Sequence, residues 1–257
     1  MNFSLLISDP LFYVVAIPAV IMVGISKGGF AGGIGLIAVP LMALTISPLQ
    51  AAGIMLPILM VMDAMGVWAY RKKWDARNLF ILLPGAVIGI GLGAATARFV
   101  SDDMVRSIIG FVAVAFTLHY WFSGGEGRPA QEPSRPRGTL WGLVGGYTSF
   151  VAHAGSPPFQ VYMLPQKLDK SIYVGTSVMF FAVVNWVKLA PYAWLGQLAP
   201  ENLMTSAVLL PFAPIGIVLG LWLHNIIPEK PFFRAIYGMI FIVGLKLLWD
   251  GLAGLFF

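Results

Sequence analysis

The sequence predicts an all-α polytopic membrane protein built from two inverted repeats, each a broken helical hairpin followed by three transmembrane helices. Three observations predict this fold: the chain is strongly apolar, its halves share one spacing of proline and glycine, and an apolar segment in each half is interrupted. Of the 257 residues, 58% are hydrophobic and 11% are charged, whereas soluble domains carry about 25% charged residues. The chain has room for roughly eight spans of about 20 residues each.

The shared spacing indicates an internal duplication. Each half carries a polar residue and a tyrosine at one matching spacing, and further along a Leu-Leu-Pro triplet and two glycines at another. In order, these residues are Asp63, Tyr70, Leu82-Leu83-Pro84, Gly89 and Gly93, and then Asn185, Tyr192, Leu209-Leu210-Pro211, Gly216 and Gly220. Duplication with interrupted hydrophobic segments is typical of secondary transporters and points to the breaks as the substrate site.

The apolar segments define the domain organisation. A segment at 11–46, interrupted at 26–29, precedes spans at 49–69, 79–97 and 104–122, and a segment at 138–165, interrupted at 153–158, precedes spans at 171–193, 203–224 and 232–253. A polar stretch separates the two groups. We therefore predict one transmembrane domain with a first repeat over 1–122, a cytoplasmic linker over 123–137 and a second repeat over 138–257.

Positive charges predict the topology. Lys and Arg crowd into the short loop at 71–77, which is therefore expected to be cytoplasmic. Lys167 and Lys170 fall on the same side only if residues 138–165 enter the membrane and return as a hairpin. By the repeat, residues 11–46 form a hairpin that enters from the other side. A hairpin followed by three spans inverts the second copy relative to the first.

Composition also excludes several classes of site. The chain has no cysteine, which removes disulfides and thiolate chemistry. It contains no HExxH motif, P-loop or metal-spaced cluster, so neither a metal nor a cofactor is expected. Residues 1–10 lack the basic region of a cleaved signal peptide. The net charge of +5 is explained by basic loops that orient the spans, so nucleic-acid binding is not expected.

The first break supplies one half of the predicted substrate site. Its candidate binding residues share a glycine-rich stretch: Ser26, Lys27, Gly28, Gly29, Gly32 and Gly33. Glycine at this density disfavours a continuous helix, and a helix that restarts near Gly32 would offer free N–H groups to an anion. Lys27 adds a positive charge at a depth where a lysine is costly unless it is paired, hydrated or functional.

The second break supplies the other half, with His153, Gly155 and Ser156 as candidate binding residues. Pro157 and Pro158 suit the first turn of a restarting helix, which makes Ser156 the predicted N-cap, with the amides beyond it facing the cavity. His153 could donate a hydrogen bond to an oxyanion or carry a proton.

Polar residues inside the spans are predicted to support the site or to couple a proton. Asp63 lies well within its span, Asn185 is its repeat mate, and Lys188 follows one turn later. We expect Asp63 to pair with Lys27 or Lys188, or to shuttle a proton.

Other polar residues are assigned to the periphery. Lys246 and Asp250 are expected to form a local pair, and His119 and His224 are placed at the interface.

Two other classes of function compete with a transporter. An anion channel would pass ions at rates far above those of a transporter, with no competition between substrates. A serine protease could use Ser26, within a G-x-S-x-G match, as nucleophile and His153 as base, an arrangement that resembles intramembrane rhomboid proteases. The motif lacks its strand–turn–helix context, and a one-site protease does not require a duplicated architecture, so we do not expect an enzyme.

The order of these motifs resembles the sulfite exporter TauE/SafE family of membrane permeases. The resemblance spans nearly the whole chain: a glycine-rich hairpin at 28–35 ends near Pro40-Leu41, Ser47-Pro48 follows, a helix closes on Tyr70-Arg71-Lys72-Lys73, and the Leu-Pro-x4-Gly-x3-Gly helix comes next. Order and duplication carry the resemblance, because glycine-rich apolar stretches alone are common.

The resemblance implies a permease for small sulfur-containing anions, such as sulfite, sulfonates or sulfoacetate, in a bacterial inner membrane. The expected partners are this anion and the lipid bilayer, and a homodimer is compatible with the sequence. The expected mechanism is alternating access, with export, around a site between the two hairpin tips.

Overall fold

The chain is helical, with connecting turns and no strands, over the residues that the computed structural model describes, which are 7, 9–31, 35, 38–42, 45–46, 48–96, 99, 101–122 and 129–256. In chain order the helices are α1 Pro10–Gly29, α2 Ala38–Met42, α3 Pro48–Tyr70, α4 Ala76–Thr96, α5 Asp102–Phe122, α6 Arg135–Ala152, α7 Ser156–Met163, α8 Lys170–Trp194, α9 Pro200–Leu209, α10 Phe212–Ile226 and α11 Glu229–Phe256.

Capping residues fix the start of two of the long helices. Asp9 accepts a hydrogen bond from the backbone N–H of Leu11 at 2.9 Å, and Pro10 occupies the first turn of α1. Asp169 accepts from the N–H groups of Ser171 and Ile172 at the start of α8. In each case a carboxylate satisfies backbone donors that the first helical turn leaves free.

The first break lies later in the chain than the sequence predicted. Helix α1 continues through 26–29 and ends at Gly29, so the interruption begins at Phe30. Gly28 and Gly29 pack directly against the backbone of α10 at Ile217 and Gly220. This close helix contact compensates for the low helix propensity of glycine, which the sequence interpretation took as the dominant effect.

The second interrupted segment doubles back on itself, as predicted. Its end lies beside its start, because a Cβ on Gly138 would lie 2.9 Å from the hydroxyl of Tyr162 and α7 packs against α6. Pro157 and Pro158 occupy the first turn of α7. The predicted cap was wrong by one residue: Gly155 is the N-cap, and Ser156 is the first helical residue.

Helix packing follows a pattern that is unchanged when the two halves are exchanged. Helix α1 of the first half packs against α10 of the second half. In the same way α6, the repeat mate of α1, packs against α4, the repeat mate of α10. Helices α3 and α8 pack against each other, as do α5 and α11. Each of these last two pairs joins an element to its own repeat mate.

Matched glycines lie in two corresponding helix interfaces, that of α1 with α10 and that of α6 with α4. A Cβ atom on Gly216 would meet the carbonyl oxygen of Ile21 at 2.5 Å, and a Cβ on its repeat mate Gly89 would collide with the carbonyl oxygen of Leu143. The same spacing of glycine therefore produces the same backbone contact in both halves. Small residues permit this close approach of helices in lipid.

Replacing Gly89 with alanine is expected to destabilise the protein by about 1–3 kcal/mol, because the added methyl group forces α4 and α6 apart. Gly91→Ala is the matched control in the same helix, since a Cβ there meets nothing within 4 Å. Thermal unfolding in detergent measures both. Equal melting temperatures for the two variants would show that the contact at Gly89 does not limit packing.

The predicted span at 203–224 is two helices. Helices α9 and α10 meet at a 49° bend next to Pro211, whereas the matching Pro84 lies inside the uninterrupted helix α4. Among the described residues, five helices are long and apolar enough to cross a bilayer, and the bent pair makes a sixth if it is one span. The two copies therefore differ at the proline that they share.

The bundle has two distinct ends, named here by the tyrosines that lie at them. At the Tyr70 end, Asp75 donates its N–H to Thr176 at 2.8 Å, and Lys170 donates to the carbonyl of His224 at 2.7 Å. At the Tyr192 end, Ser206 donates to the carbonyl of Ile54 at 2.7 Å. Although His224 was predicted to be interfacial, it is 3% exposed.

Candidate functional site

A small cavity of about 60 Å³ lies where the two hairpins face α3 and α8. A single water needs about 10–15 Å³ of such space, so the cavity accommodates a ligand of a few heavy atoms. Its polar lining comes from both halves of the chain and consists of Lys27, Ser149, His153, Ser156, Ser177, Asn185 and Lys188, with Gly35 contributing backbone. The rest of the lining is apolar, from residues such as Val23, Met55, Leu59 and Phe181.

Asp63 pairs with Lys27, which selects one of the two partners that the sequence allowed. The Lys27 ammonium donates to one carboxylate oxygen of Asp63, and Asn185 donates to the other at 2.7 Å. Asp63 and Asn185 are repeat mates, 122 residues apart, and they touch where α3 meets α8. Both are buried, so their hydrogen bonds are needed to offset the cost of desolvation.

Lys188 is the unbalanced charge of the cavity. Its side chain is 0% exposed, and its ammonium donates to the carbonyl and hydroxyl oxygens of Ser149, both at 3.2 Å. His153 Nδ1 lies 3.4 Å from the same ammonium. Within the described part of the chain, no carboxylate lies within salt-bridge distance of Lys188. A buried cation with only neutral partners attracts an anion.

His153 stands at the turn of the second hairpin with both ring nitrogens engaged. Its backbone is left-handed, with φ of 52°, a conformation that costs a non-glycine residue about 1–2 kcal/mol. Nδ1 faces Lys188, and Nε2 lies 3.0 Å from the hydroxyl of Tyr192. The ring therefore connects the cavity to the end of α8.

The start of α7 offers fewer amides than the sequence interpretation assumed. Pro157 and Pro158 have no N–H group, and the N–H of Phe159 is hydrogen-bonded to the carbonyl of Gly155 at 3.3 Å. Ser156 lines the cavity and is the first residue of the helix. The prediction of several amides facing the cavity beyond Ser156 was therefore wrong, because the prolines that begin the helix remove its donors.

The remaining candidates of the first hairpin lie beside the cavity lining. The Ser26 hydroxyl accepts the N–H of Gly35 at 3.0 Å and holds the second arm against α1. Gly28 and Gly29 face α10. Gly32 and Gly33 lie outside the described residues. The structure thus brings together Lys27, His153, Ser156, Asn185 and Lys188 around one cavity, with Asp63 behind Lys27.

Sequence reasoning missed Ser149, Ser177 and Tyr192 as residues of this region. Ser149 could have been found, because it is the repeat mate of Lys27 at the same 122-residue offset that relates Asp63 to Asn185. Tyr192 was noted only as a marker of the duplication. Ser177 carries no comparable signal.

The described residues contain no group of three or more His, Asp or Glu side chains that could hold a metal ion. A helical membrane domain with a small cationic cavity between its halves has the construction of a transporter for small anions. The chain matches the family model of the sulfite exporter TauE/SafE over residues 16–247. It belongs to this family of membrane transporters of sulfite-type anions. No curated protein and no solved structure matches the chain.

Proposed function

We propose that the protein is a secondary transporter that exports small sulfur-containing anions, such as sulfite, sulfonates or sulfoacetate, by alternating access around the cavity between the hairpins. The observation that carries this proposal is Lys188, a fully buried lysine on the cavity wall with only neutral partners among the described residues.

The charges of the site favour an anion. Lys27 and Asp63 offset each other, which leaves the charge of Lys188. An intramembrane cation is costly unless it is paired, and a bound oxyanion provides the missing charge. In the proposal, the anion lies between Lys188 and the hydroxyls of Ser149 and Ser156, because charge-assisted hydrogen bonds to oxygen are the strong ones.

The exchanged packing of the helices supports the alternating-access part of the proposal. The exchange of packing partners, α1 with α10 and α6 with α4, is the pattern expected when each half can take the conformation of the other. Asp63 and its repeat mate Asn185 contact each other between α3 and α8. In transporters built this way, one half rocks or slides against the other around a central site.

The membrane potential supports export. With the Tyr70 end and the linker at 123–137 placed in the cytoplasm, an inside-negative potential of 100 mV favours outward movement of one negative charge by about 2.3 kcal/mol. That energy corresponds to a concentration ratio of roughly 50-fold. Export of an anion across a bacterial inner membrane therefore needs no coupling ion, although Asp63 or His153 could still carry a proton.

The described contacts of Ser26 and His153 do not favour the protease alternative. Both nitrogens of His153 are directed at Lys188 and Tyr192, and Ser26 Oγ accepts the backbone N–H of Gly35. A serine nucleophile requires a base within hydrogen-bond reach. The geometry of these two residues favours a structural role for Ser26.

Purified protein in liposomes is expected to move sulfite down an imposed potential, with competition by small sulfonates. A thermal-shift series of sulfur oxyanions and sulfonates on the same preparation should raise the melting temperature, because ligands that bind only the folded state stabilise it. An anion channel would pass ions far faster and without competition. If unrelated solutes stabilise the protein and no sulfur anion does, the proposed substrate class is wrong.

A further inference from the structure

Two tyrosines in matched positions tie the end of a span to the first arm of a hairpin. The Tyr70 hydroxyl donates to the carbonyl of Gly28 at 2.8 Å, and the Tyr192 hydroxyl donates to the carbonyl of Phe150 at 3.0 Å. Each pair is separated by 42 residues, and both tyrosines are buried. Neither hydrogen bond forms part of the anion site described above.

These two hydrogen bonds lie at opposite ends of the bundle. Helix α8 begins beside Tyr70, where the position of a Cβ on Gly175 lies 3.2 Å from the Cβ of Tyr70. It then runs without interruption from residue 175 to residue 192, a distance of about 26 Å at 1.5 Å per residue. Each tyrosine therefore fastens a hairpin arm at its own end.

Only Tyr192 is connected to the cavity. Its hydroxyl lies 3.0 Å from His153 Nε2, its ring lies 5.9 Å from the Lys188 ammonium, and His153 Nδ1 lies 3.4 Å from that ammonium. The repeat mate of His153 is Ala31, whose backbone has nearly the same left-handed φ, 51° against 52°. Because alanine has no side chain that can bridge, the first half lacks this connection.

The direction of each hydrogen bond in the series from Phe150 through Tyr192 and His153 to Lys188 follows from the protons that are available. A tyrosine hydroxyl has one proton, and the Phe150 carbonyl can only accept it. His153 Nε2 therefore donates to the Tyr192 oxygen, which leaves Nδ1 as an acceptor facing Lys188. The longest contact in this series is the 3.4 Å contact between Lys188 and His153, and it is the contact that an arriving anion most easily replaces.

We propose that Tyr192 is a positioning residue that couples anion binding at Lys188 to opening of the Tyr192 end, and that Tyr70 is its uncoupled counterpart. This inference rests on the proposed function. When the Lys188 ammonium donates its hydrogen bond to an oxyanion instead of to His153, the ring loses the cation that orients Nδ1. The ring then turns, Nε2 leaves the Tyr192 oxygen, and the hydrogen bond to Phe150 becomes easier to break.

Single-cysteine reporters test the proposal, since the chain contains no cysteine. Ala154→Cys reports on the Tyr192 end, and Ala31→Cys reports on the Tyr70 end. Both alanines are 1% exposed, and neither lines the cavity. Labelling by a membrane-impermeant maleimide, added to one side of oriented proteoliposomes with or without sulfite, measures opening at each end.

We expect sulfite to increase labelling of the Ala154→Cys reporter several-fold and to leave the Ala31→Cys reporter unchanged. Adding Tyr192→Phe should raise labelling at Ala154→Cys about tenfold without sulfite, which is the effect of one lost hydrogen bond, and should remove the response to sulfite. Adding Tyr70→Phe should raise labelling only at Ala31→Cys and keep the sulfite response at the other end. Tyr147→Phe, whose hydroxyl lies 3.2 Å from the hydroxyl of Thr96, is the matched control and should change neither reporter.

His153→Ala provides a second variant if Tyr192→Phe does not fold. It keeps the hydrogen bond between Tyr192 and Phe150 but breaks the connection, so labelling at Ala154→Cys should not respond to sulfite at concentrations at which the thermal-shift series shows that sulfite still binds this variant. A sulfite response that persists in Tyr192→Phe or in His153→Ala overturns the coupling. If wild-type protein shows no sulfite binding in the thermal-shift series, the proposed function fails, whereas the labelling without sulfite still tests the two hydrogen bonds.

Discussion

Lys188→Met is expected to lower sulfite transport by about 100-fold or more while the protein remains folded. Removing one partner of a buried charged interaction costs about 2–5 kcal/mol of binding, and 100-fold corresponds to about 2.7 kcal/mol. Methionine fills a similar volume. Because Lys188 has no carboxylate partner in the described structure, its replacement leaves no buried charge unpaired. Sulfite flux into proteoliposomes and thermal unfolding measure the two effects separately.

Lys246→Met is the matched control for that variant. Lys246 is also a lysine on an apolar helix, but it is 57% exposed and pairs with Asp250 at 2.5 Å, one turn away, as the sequence predicted. Its replacement should leave transport within about twofold of wild type, since such pairs contribute little. Equal flux in wild type and Lys188→Met would remove Lys188 from the anion site.

Asp63→Asn and Lys27→Met are each expected to destabilise the protein by about 3–5 kcal/mol, because each leaves the other charge buried without its partner. The double variant should recover most of that loss, since it removes both charges together. A double-mutant cycle on the free energy of unfolding in detergent measures the coupling.

The exposed pair of Lys246 and Asp250 serves as the reference cycle and should give a coupling of about 0.5 kcal/mol or less. If the buried cycle gives a value as small as the exposed one, Lys27 and Asp63 do not depend on each other in solution. In that case Lys27 would be available to the anion, as the sequence first indicated.

Much of the fold could be predicted because the duplication appears in the sequence. The offset that matched Tyr70 to Tyr192 also relates their hydrogen-bond acceptors, Gly28 and Phe150. The hairpin over the second segment was predicted from two lysines, and the structure brings its two ends together. The inverted orientation of the copies stays a prediction that the exchanged helix packing supports.

The position of the first break could not be predicted from local propensity. Glycine weakens an isolated helix, but Gly28 and Gly29 are held in α1 by a backbone contact with α10, and those residues are about 190 positions away in the sequence. Tertiary packing therefore determines where α1 ends, and the local sequence predicted a different position.

The assignment of charge within the site also depended on tertiary structure. The sequence offered two lysines for one aspartate and placed the anion beside Lys27, the lysine in the glycine-rich stretch. The fold instead sets Asp63 against Lys27 and leaves Lys188 with Ser149 and His153. Which lysine remains unbalanced depends on how α1, α3, α6 and α8 meet, and spacing along the chain does not contain that information.

The most direct measurement of the central claim, that Lys188 holds the transported anion in the cavity between the hairpins, is a crystal structure with selenite, a heavier analogue of sulfite. Anomalous scattering should locate selenium in that cavity, with its oxygens within hydrogen-bond distance of the Lys188 ammonium. The peak should be absent in Lys188→Met crystals. A selenium peak outside the cavity, or one that persists in the variant, would contradict the account.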